Sequence, residues 1–219
     1  MPTLFTDRRS GHSRAPYESL NLALHLGDDP FVVEQNRDEL ASISAPLQFM
    51  NQVHGEAVVV VEELVNEPTA DALITQNPHI ALAVLVADCI PLLLASESVI
   101  AAVHVGRRGL VNGIAIKTVR KMRELGAKHI RAELGPSICG KCYEVPQVLA
   151  DAVTLIHPRA FSMTSVGGPA LDLPLALVAA LESEGVFSQV SQVCTLENQS
   201  YFSYRRHNIT GRTAGVIWL

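Results

Sequence analysis

Between Leu47 and Val105 the chain is a succession of short apolar runs, LQFMNQV, AVVVV, DALIT, IALAVLVA, IPLLLA and VIAAVHV, separated by Gly, Pro, Asn or acidic residues. Runs of this length, rich in Val, Ile and Leu and bounded by turn formers, read as β-strands. Because several are apolar at successive positions rather than alternating, many of them must be covered on both faces. The longest stretch, Ile80 to Ala95, is interrupted by Asp88, Cys89 and Pro91, and its 16 residues fall short of the roughly 20 needed to cross a bilayer as a helix. It reads as buried strands.

Helical signals flank this cluster. Asp29-Pro30 opens FVVEQNRDELASI, with Asp placed to cap and Pro suited to the first helical position. Asn112 can cap GIAIKTVRKMREL, where Ile116, Val119, Met122 and, less regularly, Leu125 recur at helical spacing. A strand at HIRAEL, a Gly-rich turn GPSICGKCYE, a helix from Pro146 to Ile156, another from Leu175 to Glu184 and a strand-like end follow. This order is not the strict alternation of a doubly wound sheet. It predicts an α/β or α+β fold with a mixed β-sheet and flanking helices. No repeat, low-complexity tract or linker divides the 219 residues, so 1–219 is expected to be a single domain.

Composition excludes several classes. With 48% hydrophobic and 18% charged residues the chain is not disordered, and 17 Lys and Arg against 22 Asp and Glu leave a net charge of −5. That offers no electrostatic footprint for nucleic acid or an anionic membrane, so neither is an expected partner. The amino terminus, MPTLFTDRRSGHSR, is polar within six residues and lacks a signal-peptide segment, and four cysteines are too few for a disulfide scaffold. A cytoplasmic protein with free thiols is expected.

Three residues stand where strands end: His54 in NQVHG, Cys89 in ADCIP and His104 in AVHVGRRG. Two imidazoles and a thiol form a good zinc set with an open fourth position, although separations of 35 and 15 residues match no compact metal motif. The same residues could be packed in the core, or could form a Cys–His dyad with Cys89 as nucleophile. Cys139 and Cys142 make a C-x-x-C without a thioredoxin-like context, so a structural role in their turn is favoured; zinc there would need a second pair, and Cys194 is the one cysteine left. The pairs Arg107-Arg108 and Arg205-Arg206 could each hold a phosphate, but no phosphate-loop or dinucleotide-binding glycine pattern accompanies them.

The blocks SLNLALHLGDDP, QNRDEL, NQVHG, ADALIT, VADCIPLLL, AAVHVGRRG, LGPSICGKCYEV, LDL and YFSYRR…TGR, in one collinear order from about Ser19 to Leu219, resemble the YfiH family, also called the peptidoglycan editing factor or multicopper-laccase-domain family. The resemblance implies a single sandwich-like α/β domain with zinc on His54, Cys89 and His104. It also implies a purine nucleoside enzyme that phosphorolyses adenosine, inosine, guanosine and methylthioadenosine and deaminates adenosine. Arg37 and Arg108 match the family's basic positions and are expected to contact substrate or phosphate. Two departures stand out: the usual HAGWRG reads HVGRRG here, placing Val105 and Arg107 in it, and Cys139 is not a usual position.

A zinc with three protein ligands keeps a place for water and lowers its pKa toward neutral, which suits attack at purine C6. Asp88, beside Cys89, is expected to be an acid for phosphorolysis, a carboxylate orienting a ligand His, or a strand-end cap. The laccase label meets a count: multicopper oxidases need roughly ten imidazoles with His-x-His pairs, whereas this chain has 8 His and no such pair. A single site could still take copper by substitution. The rival classes are a cytoplasmic hydrolase editing peptidoglycan precursors that carry a wrong amino acid, and a non-catalytic zinc-binding regulatory protein.

Overall fold

The computed structural model describes residues 1–219. The apolar runs fold into two stacked sheets rather than one. The larger is built from β3 (Val58–Val60), β4 (Ala72–Thr75), β6 (Ile90–Ala95), β7 (Ile100–Val105), β8 (Arg131–Leu134) and β11 (Phe187–Val190), in the order β11-β8-β6-β7-β4-β3. It is mixed: β11/β8 and β3/β4 pair in parallel, and the interior pairs are antiparallel. The smaller sheet orders β1 (Thr3–Phe5), β12 (Thr213–Ile217), β5 (Ala81–Val86) and β2 (Leu47–Gln48). A separate hairpin pairs β9 (Phe161–Met163) with β10 (Pro169–Leu171).

Side-chain alternation explains the stacking. On β5, Leu82, Val84 and Val86 join Leu93 of β6 and Ile100 and Ala102 of β7 in a core between the sheets. The other β5 face, Ala81, Ala83 and Leu85, packs with Leu40 of α1 (Pro30–Ser42). On β6, Ile90, Leu92 and Leu94 face the other way, into the core beneath α2 (Arg107–Asn112), α3 (Ile114–Glu124), α4 (Gln147–Ile156) and α5 (Leu173–Ser183). The layers are therefore helix, sheet, sheet, helices, and the unbroken apolarity of the central runs follows from burial on both faces. Leu93 is 1% exposed between the sheets, and its truncation to Ala should cost about 2–5 kcal/mol.

The helices keep close to their sequence signals. Asp29 accepts from Phe31 N–H with Pro30 at the first position of α1, and α5, capped by Asp172, begins two residues before its expected start. One expectation needs correction. Only Leu47 and Gln48 of LQFMNQV pair as a strand, because residues 49–57 turn away to build a loop. The helix expected after Asn112 is α3: the Asn112 side chain accepts from Ile114 N–H at 3.1 Å, while the residue itself ends the short α2 and Gly113 turns the backbone between the two at φ 74°. No helix is long and apolar enough to cross a membrane.

Candidate active site

His54, Cys89 and His104 lie 35 and 15 residues apart in sequence, and the two-sheet stack brings them together. His54 sits in the loop after β2, Cys89 in the tight β5–β6 turn, and His104 is the penultimate residue of β7. Their donor atoms lie within 4.8 Å of one another. His54 Nε2 is 3.9 Å from Cys89 Sγ, and the two imidazoles meet edge to face with centroids 4.6 Å apart. Gly106 closes this group from below: a Cβ there would stand 2.9 Å from Cys89 Sγ and 3.2 Å from His54 Cδ2, so any side chain would displace the donors.

The organising group is Asp71, wholly buried at the start of β4. Its carboxylate lies 2.8 Å from His104 Nδ1 and accepts backbone N–H bonds from Val53 at 3.2 Å, His54 at 3.0 Å and Gly55 at 2.6 Å. Burial opposes its charge, but the His104 ring and the Gly55 N–H outweigh burial and hold the carboxyl below its ordinary range. An anionic Asp71 accepts Nδ1–H and leaves Nε2 of His104 as the free donor, the arrangement in which carboxylates orient ligand imidazoles. It also secures His54, whose backbone sits at φ 57°, a conformation unusual for a residue with a side chain.

The thiol and imidazole polarise each other. Burial would raise the Cys89 pKa, yet the charge of His104 and hydrogen bonds from both imidazoles bring it down to about 6. Burial would likewise lower that of His104, but the Cys89 thiolate and Asp71 carry it up to about 9. Each group thus favours the charged form of the other.

A pocket of about 380 Å³ opens on the three donors, within the range of small-molecule sites. Leu85, Val86 and Met50 supply apolar wall, while His25, Gln52, Tyr204 and Arg212 supply polar groups. Gln52 is fixed by two 2.8 Å bonds to the Leu85 backbone. Arg212 spends Nη1 on the carbonyls of Thr210 and Gly211, each at 3.0 Å, and its guanidinium is the one cationic side chain without a titrating proton among the pocket walls.

Other sequence candidates fall elsewhere. Arg37 is on the buried face of α1, donating Nε to Leu22 O at 2.9 Å and Nη1 to Glu67 at 2.8 Å, with its guanidinium stacked 3.9 Å from the Phe49 ring. Arg108 is exposed and Arg107 half-exposed in the first turn of α2, and none of the three lines the pocket. The Arg205-Arg206 pair staples loops: Arg206 Nη1 donates to the carbonyls of Thr195 and Leu196, and Arg205 donates Nη1 to Glu144 O. Asp88 accepts from Thr195 Oγ1 at 2.6 Å and Arg205 N–H at 2.7 Å, so the carboxylate that orients a ligand His is Asp71, not Asp88. Asp71 stood in the ADALIT block and Arg212 in TGR, but a lone Asp before a strand and a lone Arg after Gly carry no motif of their own.

A family profile described as multi-copper polyphenol oxidoreductase laccase matches residues 2–219. A purine nucleoside phosphorylase of Streptomyces coelicolor is 47% identical over 228 residues, covering 98% of this chain and 94% of its own. The purine nucleoside phosphorylase YfiH of Shigella flexneri is 36% identical, covering 97% and 91%. The chain belongs to the YfiH family. The crystal structure of Neisseria meningitidis protein NMB0706 superposes with a TM-score of 0.91 at 35% identity, covering 99% of this chain and 93% of that one. That of Bacillus licheniformis YfiH superposes with a TM-score of 0.90 at 30% identity, covering 98% and 91%.

The donor set of this YfiH chain fits one metal ion: two imidazole nitrogens and a thiolate converge, one imidazole is held by a buried carboxylate, and the pocket leaves the remaining side open. It does not fit a copper cluster of the laccase type. Apart from this set, the side chains grouped closely enough to hold a metal are Cys139, Cys142, Cys194 and Glu197, with no imidazole among them.

Proposed function

We propose that the chain, acting as one catalytic domain over residues 1–219, is a zinc-dependent purine nucleoside enzyme. Its reactions are phosphorolysis of adenosine, inosine, guanosine and methylthioadenosine, and deamination of adenosine. The observation that carries this reading is the convergence of His54, Cys89 and His104 on a pocket whose walls pair apolar surface with one guanidinium. The names of its relatives support the same reaction class.

His54, Cys89 and His104 would hold a zinc ion, which would supply Lewis-acid polarisation and a water of lowered pKa. Asp71 fixes the His104 ring and keeps its Nδ1 protonated, so the donor nitrogen needs no reorganisation. Leu85, Val86 and Met50 offer apolar surface to a purine, and the pinned Gln52 keeps the wall rigid. Arg212 is the cation placed to hold phosphate, a role better met there than by Arg37 or Arg108, which lie off the pocket. In phosphorolysis, phosphate attacks ribose C1′, the glycosidic bond breaks, and the purine leaves with its electron pair and takes up a proton. Copper would enter the same donors by substitution, since thiolate and imidazole suit it.

One observation favours a rival. Cys89 Sγ lies 3.9 Å from His54 Nε2 and within 4.8 Å of a His104 nitrogen, and both imidazoles lower its pKa, so it could serve as a nucleophile without any metal, as a hydrolase editing peptidoglycan precursors would require. Freshly purified protein analysed for metal and incubated with adenosine separates the two. Adenosine alone should yield inosine and ammonia, and added phosphate should also yield adenine and ribose 1-phosphate. Neither product, together with cleavage of a precursor carrying a wrong amino acid that persists after chelation, would transfer the function to the hydrolase.

A further inference from the structure

A second group of soft donors lies outside the pocket. Cys139 and Cys142 come from the turn after β8, and Cys194 and Glu197 from the long segment between β11 and β12. The ligand atoms of all four lie within 4.8 Å of one another. Each segment offers its two donors three residues apart, and each is folded to bring them to one side. Cys142 N–H and Tyr143 N–H both donate to Cys139 O at 3.0 Å, and Asn198 N–H donates to Cys194 O at 2.9 Å. The segments are joined at the base by Thr195 N–H to Ser137 O at 3.1 Å and by Cys139 N–H to Cys194 Sγ at 3.4 Å. At the open end Cys142 Sγ is 3.4 Å from Glu197 Oε1. All three thiols are free.

We propose that Cys139, Cys142, Cys194 and Glu197 form a second metal site, structural in role and suited to one zinc ion. Two turns facing each other, each presenting donors at x2 spacing, is how tetrahedral zinc sites are built. Zn–S bonds of ≈ 2.3 Å place tetrahedral sulfurs roughly 3.8 Å apart, so donors already inside 4.8 Å need only a small contraction. Three thiolates and a carboxylate fill four positions, which leaves none for substrate. A dithiol redox pair would need neither Cys194 nor Glu197, and a packing role would not gather four donors while leaving Glu197 exposed.

The site has a purpose in the fold. The segment carrying Cys194 and Glu197 has no helix or paired strand of its own, yet it delivers Thr195 and Arg205 to Asp88, next to Cys89, and Tyr204 to the pocket wall. A metal clamp at 139–142 and 194–197 would anchor that segment at one end, making it a positioning device for the active site.

Metal analysis of the full chain tests this without any turnover. The wild type should carry two zinc ions per chain, Cys89→Ala one, Cys142→Ser one, and the Cys89→Ala/Cys142→Ser double variant none. Cobalt substituted into Cys89→Ala should show the intense thiolate charge-transfer absorption of a three-sulfur site, absent from the double variant. Glu197→Gln, at an exposed position, guards against misfolding: it should stay folded while a chelator strips its second zinc on the order of 100-fold more readily. A wild type with one zinc that disappears with Cys89→Ala and survives Cys142→Ser would overturn the proposal. So would a Cys139–Cys142 disulfide in protein isolated without air. Loss of the nucleoside reading would leave these counts unchanged, so the two proposals fail separately.

Discussion

The two donor groups of this molecule are made differently. His54, Cys89 and His104 are fixed by strand ends of a two-layer core and by a wholly buried carboxylate, and they leave one side open to a pocket. Cys139, Cys142, Cys194 and Glu197 are fixed by turns in segments with little regular structure, hold four donors and face no part of that pocket. Where the scaffold supplies rigidity, donors can be spent on reactivity and a position kept free; where it does not, all four positions serve to create rigidity.

The largest effect that can break this contrast is on turnover. Cys89→Ala should lose its zinc and abolish both nucleoside reactions, whereas Cys142→Ser should keep the active-site zinc and lower the rate only through a looser pocket wall. Steady-state rates with metal content measured on the same samples decide it; equal inactivation of the two variants would erase the distinction between them.

Asp71→Asn should come next. Losing a carboxylate that orients a ligand imidazole costs about 10- to 100-fold in metal affinity or activity. A stability signature accompanies it. The Asp71 carboxyl is held below its ordinary 3.8, so it contributes stability above that value and loses it as pH falls through the lower folded pKa. Acid unfolding followed by circular dichroism should therefore show a shallower acid limb in metal-free Asp71→Asn than in metal-free wild type. Parallel limbs would mean that Asp71 does not carry that charge.

How much of this was legible differs between the groups for the same physical reason. The apolar runs disclosed the strands, and the nine collinear blocks pointed to three donors that the structure brings together, but a strand apolar on both faces does not say which sheet lies above it. The runs by themselves therefore do not disclose the second sheet. Asp71 escaped because its importance is a three-dimensional one: the loop from Val53 to Gly55 folds over a carboxylate that sequence separates from it by 16 to 18 residues. The resemblance points to Arg37 and Arg108 as cations, but Arg37 is occupied by Glu67, Leu22 and Phe49. The Cys139–Cys142 pair is visible as a motif and Cys194 as the one cysteine left, but Glu197 completes the set only because a long irregular segment returns to the turn.

The contrast sharpens further at the phosphate. A charge-assisted bond is worth about 1.5–3 kcal/mol, so Arg212→Ala should cost at least about tenfold in phosphorolysis with a smaller effect on deamination, which has no phosphate to hold. Arg108→Ala should spare both reactions. Kinetics of each variant on both reactions check this, and a phosphorolysis-selective loss at Arg108 instead would move the anion site to the α2 end of the molecule.

The smallest effect probes the connection between the two groups. Thr195 stands next to Cys194 in the proposed clamp, and its hydroxyl donates to Asp88 beside Cys89 at 2.6 Å, so one side chain spans the distance between them. Thr195→Val keeps the shape and removes the donor, leaving Asp88 with the Arg205 N–H. The loss should be about 1.5 kcal/mol, the low end for a bond to a carboxylate that keeps a second donor. If the clamp serves the pocket through this bond, that loss should appear as a raised KM for nucleoside with kcat nearly unchanged, because Tyr204 and the pocket wall shift while the metal ligands stay in place. It should also be smaller in Cys142→Ser, where the segment is already released. An equal KM effect in both backgrounds would show that the bond acts on Asp88 alone, and that the second site stabilises its own turn without reaching the first.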